Sequence, residues 1–113
     1  MTPAAATSLR FAAQRLSAIV LAVCVLVHLV TIVYATRHGL SAAAIVARVR
    51  SGAFWPAFYA VFVAAVAVHA PLGVRVILDE WSGLRGRGVD VLLALFGGVL
   101  LVAGGRAVWV LTT

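Results

Sequence analysis

His69 is the residue whose type and place in this chain most invite chemistry. It lies in the apolar stretch Ala57–Leu78 and opens the run His69-Ala70-Pro71-Leu72-Gly73-Val74-Arg75-Val76-Ile77-Leu78-Asp79-Glu80-Trp81. An imidazole in apolar surroundings is costly unless its nitrogens are used. On a helix, Gly73 shares a face with His69. The imidazole then stands beside a patch free of side chains, against which a planar cofactor could lie. Neutral imidazole is a common iron ligand, and haem iron takes histidine as an axial ligand. The plainer reading is a histidine that hydrogen-bonds a neighbouring helix. Pro71 removes a backbone donor nearby and can kink the helix.

Few other residues could carry chemistry. His28 lies deep in the first apolar run, and Arg15 and Ser17 sit near its start. Arg15 reads either as an anchor snorkelling to the headgroups or as a donor to a polar ligand at the membrane face. Ser17 can also bond back to its own helix. Arg75, Asp79 and Glu80 end the second apolar run, and His38, beside Arg37 and Gly39, reads as a loop histidine. The lone cysteine, Cys24, can form no intrachain disulfide and reads as a small apolar filler.

These residues must be positioned by elements that live in lipid. Of 113 residues, 65% are apolar and 11% charged, too apolar for a small soluble domain to bury. Three stretches reach the roughly 20 residues that a membrane helix needs. They run from about Phe11 to Ala35, Trp55 to Leu78 and Val89 to Leu111. The expected fold is an all-α membrane protein, one transmembrane domain over residues 1–113. Met1–Thr7 reads as a loose tail, with Ser8 as a cap for the first helix. Ser41–Arg50 reads as a short surface helix, and Gly83–Gly88 as a turn. Gly97, Gly98, Gly104 and Gly105 in the third span permit close helix approach. The first run is too long for a signal-peptide core.

All nine basic residues are arginine, and the net charge is +6. That balance suits anionic headgroups rather than nucleic acid, for which no recognition helix or stacking platform is visible. With three spans, Arg10, Arg15, Arg75, Arg85 and Arg87 fall on the side of the N-terminus, and Arg37, Arg48, Arg50 and Arg106 on the other. The bias, five against four, favours a cytoplasmic N-terminus; the expected location is a bacterial plasma membrane. Trp55, Trp81 and Trp109 lie near span ends, where indole rings favour the interface.

With these motifs in place, the chain resembles the cytochrome b membrane anchor of succinate dehydrogenase or fumarate reductase. That family's first motif, roughly His-Arg-x-Ser-Gly, reads here Gln14-Arg15-Leu16-Ser17-Ala18. Its second, His-x-x-x-Gly-x-Arg-His with a later acidic residue, is matched by His69, Gly73, Arg75 and Glu80, with Val76 in place of the second histidine. The resemblance implies that His69 is an axial ligand of haem b. It also implies that Arg15 and Ser17 help bind a quinone near the N-terminal side. A family serine one turn before the arginine falls here on Phe11. Asp79 and Glu80, on the same side, could pair with Arg15 or deliver protons to the quinone, and Trp81 could line that pocket. The implied partners are a flavoprotein subunit, an iron–sulfur subunit and a second anchor chain, so the three helices would form half of a larger haem-binding bundle.

His28 lies outside the usual single-haem motif. Counted from the N-terminal face, His69 lies roughly 16 Å deep and His28 roughly 25 Å deep. One haem bridging both within the chain is disfavoured. Two haems, each completed by another chain, would resemble the di-haem anchors of this group. The rival readings are the cytochrome b anchor of another flavin-dependent dehydrogenase, a small transporter, and a haem-free anchor. The chain has no Rossmann glycine pattern for a flavin and no cysteine set for an iron–sulfur cluster.

Overall fold

A computed structural model describes residues 2–113. It consists of α1 (Pro3–Arg37), α2 (Ala42–Val49), α3 (Phe54–Ile77), a π-helical turn (Leu78–Ser82) and α4 (Arg87–Thr112), with no strand among the described residues. The chain is thus an all-α membrane protein. Its helices α1, α3 with the π turn, and α4 are each long and apolar enough to span a bilayer. The helices are predominantly apolar, and among the described residues only Ser17, Cys24 and Ala65 are buried in the core. Most of the large apolar side chains face outward, as expected where the solvent is lipid.

The first helix starts earlier than expected. Residues 3–7 are helical rather than a loose tail, and Met1 lies outside the described residues. Thr2 is the cap, its side chain accepting from the Ala5 N–H at 3.1 Å, and Pro3 occupies the first turn. Proline is preorganised for that position and the alanines after it propagate the helix, so Ser8 falls inside it. The surface helix α2 forms with Ser41 as its cap. Arg50, just past its end, donates to the Val110 and Leu111 carbonyls at 3.2 Å each. These are among the carbonyls that the last turn of α4 leaves without partners. At the opposite end, Gly83 (φ 65°) closes the π turn in a left-handed conformation.

Helices α3 and α4 pack through two glycines seven residues apart. A Cβ on Gly104 would lie 2.6 Å from Val63 Cγ1. A Cβ on Gly97 would lie 3.0 Å from the Ala67 carbonyl oxygen and 3.1 Å from Pro71 Cγ. Pro71 has no N–H to give the Ala67 carbonyl, so the fourth helix approaches where the third has lost a backbone bond. Gly98 and Gly105 meet nothing. An Arg75–Asp90 ion pair ties the two helices together at the N-terminal face.

Candidate functional site

Several polar side chains of α1, Arg10, Gln14, Ser17, His28 and Thr31, share one stripe. Arg10, Gln14, Ser17, Leu21, Cys24, His28, Thr31 and Ala35 alternate in steps of four and three, the spacing of a seam that keeps facing a neighbouring helix. All but Arg10 are buried or half-buried. Arg15 lies off this stripe and is exposed. Residues two positions apart on a helix differ by about 200°, so Arg15 and Ser17 point to different sides.

The stripe meets α3 at two levels. Nearer the N-terminal face, Ser17 Oγ lies 3.3 Å from His69 Nδ1 and donates to its own helix at the Gln14 carbonyl, 3.1 Å away. The two plainer readings are therefore both realised: His69 bonds a neighbouring helix, and Ser17 bonds back to its own. Nothing among the described residues hydrogen-bonds His69 Nε2, and that atom is not sealed in the core. One turn along α3, Gly73 faces the Gln14 side chain, whose Nε2 would lie 3.5 Å from a Cβ there. The bare patch beside His69 is thus covered by Gln14 in this chain. Gln14 Oε1 is buried with no hydrogen-bond partner.

At the second level His28 Nδ1 lies 3.1 Å from Tyr59 Oη. Its ring meets Tyr59 and Phe62 edge-on, each at 5.7 Å between centroids. Three apolar cavities, of about 130, 320 and 360 Å³, are bordered by His28 and Tyr59. Tyr59 and His69 are ten residues apart in α3, roughly 15 Å along the helix. The two histidines are therefore too far apart to hold one metal ion within this chain.

The other expected site residues are dispersed. Asp79 pairs with Arg85 at 2.7 Å, not with Arg15. Glu80 is exposed, and Trp81 is 85% exposed and lines none of the cavities described here. What gathers on the N-terminal side instead is a cavity of about 320 Å³ between α1 and α3. Thr7, Arg10, Gln14, Arg75 and Asp79 supply its polar lining, and Phe11 and Leu72 part of its apolar wall. Arg10, Gln14 and Tyr59 drew no functional assignment from sequence. The four-three stripe was the available signal for the first two. Tyr59 is one of five aromatics in the start of α3, and nothing local marks it. His38 stacks on Tyr34 at 4.1 Å and bonds its carbonyl, as a loop histidine would.

Three spans, with histidines held between the first two at separate levels, define a membrane protein whose polar groups lie inside a helix seam. The chain belongs to the succinate dehydrogenase/fumarate reductase transmembrane subunit family, whose model matches residues 2–105. Comparison with curated proteins and with solved structures found no match.

Proposed function

We propose that this subunit binds haem b through His69 and passes electrons between an iron–sulfur partner and a membrane quinone. The observation that carries the reading is His69 itself: a half-buried imidazole with Nδ1 engaged by Ser17 and Nε2 without a partner. Metal-bound histidines typically have their second nitrogen fixed in this way. Bound haem would supply one-electron chemistry at iron. The donor set suits an axial ligand, while a ring lying over Gly73 would require Gln14 to swing aside. The unpartnered Oε1 supports that movement, because no hydrogen bond holds that oxygen in place.

The quinone headgroup sits in the cavity between Arg10, Gln14, Arg75 and Asp79. Its volume suits a small ring. The arginines donate to the quinone oxygens, and Gln14 Oε1 accepts from the hydroxyl of the reduced form. Reduction takes up two protons, for which Asp79 and Glu80 stand at the water-facing end. Arg15 and Trp81 serve as interfacial anchors rather than quinone contacts. The flavoprotein and iron–sulfur subunits dock on the N-terminal face, on the cytoplasmic side of a bacterial plasma membrane. A second anchor chain covers the outward apolar faces and would supply a further ligand to the haem.

His28 supports a second haem at its own level, because its ring borders cavities between the spans and lies too far along the bundle to share the first iron. The transporter reading finds no acid at mid-span: Asp79 and Glu80 lie in the π turn, and Asp90 in the first turn of α4. A reduced-minus-oxidised spectrum of the purified complex tests the proposal. A haem b α-band is expected, and its absence with adequate haem supply overturns it. The soluble subunits that co-purify distinguish succinate or fumarate chemistry from that of another flavin-dependent dehydrogenase.

A further inference from the structure

We infer that Ser17 is a positioning residue: it holds His69 in the Nδ1–H tautomer and so presents Nε2 as the iron ligand. This rests on the haem reading above and goes beyond it by giving Ser17 a role at the metal rather than at the quinone. It follows from the count of one proton. A serine hydroxyl carries one hydrogen and two lone pairs. That hydrogen is spent on the Gln14 carbonyl at 3.1 Å. What Ser17 Oγ offers His69 Nδ1 at 3.3 Å is therefore a lone pair. A neutral imidazole facing an acceptor at Nδ1 must carry its proton there, which leaves its own lone pair on Nε2.

Burial makes the arrangement firm. Ser17 is 7% exposed and His69 half-buried, so little water reaches the pair. If the hydroxyl instead donated to Nδ1, the imidazole proton would sit on Nε2 and block coordination. The N–H···O bond at Nδ1 also raises the basicity of the ligand. A more basic ligand favours ferric over ferrous iron, so Ser17 lowers the haem potential. At the other histidine, Tyr59 Oη has no second partner among the described residues to claim its proton.

The test uses the assembled complex with its haem and two variants, Ser17→Ala and Ser17→Thr. Potentiometric titration of the haem band should show a more positive midpoint potential for Ser17→Ala. Haem retention should weaken by about tenfold or more, the usual effect of losing an outer-shell partner. Ser17→Thr keeps the hydroxyl and its bond to the preceding turn, and should match the wild type. An unchanged potential and haem content in Ser17→Ala overturns the positioning role alone. A wild-type complex without a haem band overturns the parent reading and this one with it. Should Ser17→Ala fail to assemble, ¹⁵N spectra of the histidine-labelled full chain in bilayers, before haem is added, decide the matter. The signal lost in His69→Gln should show the proton on Nδ1, and a proton on Nε2 overturns the inference.

Discussion

The His69 and His28 levels lie between the same two helices, yet their hydrogen bonds close differently. Ser17 is short, buried and bonded to its own helix backbone, and in the arrangement inferred above it leaves His69 one tautomer. Tyr59 is a phenol whose hydroxyl can turn, so it leaves His28 either tautomer. The His69 level also contains an unsatisfied acceptor, Gln14 Oε1, while the His28 level is lined by aromatic edges and apolar walls. A buried histidine needs a partner in both places. In the proposed function, what suits one of them to a metal is that its partner's proton is already spent. The His69 level is therefore the tighter of the two proposed haem sites.

Replacing the histidines breaks this comparison most directly. His69→Ala is expected to abolish the haem component of that level completely in the reduced-minus-oxidised spectrum, and His38→Ala to leave the spectrum unchanged. His28→Ala should lower the pyridine haemochrome count by one haem. A full count there would reduce His28 to a hydrogen-bond partner of Tyr59.

The next largest effect concerns the glycine seam behind the His28 level. Gly104→Ala places a methyl 2.6 Å from Val63 Cγ1, so either the Val63 side chain or α4 must shift. A loss of about 1–3 kcal/mol is expected from such overpacking. Gly105→Ala, open on its outer side, should show no comparable loss in the same thermal unfolding experiment. Equal losses would mean that something other than close approach to α3 requires these glycines, since helix propensity by itself favours alanine.

Gln14→Leu sharpens the comparison from the N-terminal side. It removes a buried acceptor that has no partner, so thermal stability should hold or rise. The KM for quinone should nevertheless rise about tenfold, the worth of one hydrogen bond to a bound polar ligand. A parallel fall in stability would show that Gln14 serves packing alone.

Much of this was legible in the sequence because membrane helices announce themselves by composition. Three helices long and apolar enough to span a bilayer, a short helix between the first two and a glycine-containing connection before the last are all present. The start of α1 is less legible, because Ser8 resembles a cap while the stronger Thr2-Pro3 pair precedes it. The site was less legible. Motif order groups Arg15 with Ser17, but helical geometry separates them, and the four-three stripe selects Gln14 and Ser17 instead. Asp79 found Arg85 and Arg75 found Asp90, pairings set by how the π turn and the following loop fold back. No spacing rule within one helix contains that information.

The smallest predicted effect is the most discriminating between the two levels. Tyr59→Phe retains the ring that meets His28 edge-on and deletes only the hydroxyl at 3.1 Å. The cost should be about 1 kcal/mol, that of one partly buried hydrogen bond. Because the levels are roughly 15 Å apart along the helices and share no hydrogen-bond partner, the change should leave the His69 haem potential where it was. Combined with Ser17→Ala, its effect on stability should simply add, as for other distant pairs. Coupling between the two substitutions beyond about 0.5 kcal/mol would show that α1 responds as one rigid stripe, and that the tautomer at His69 depends on contacts well beyond Ser17.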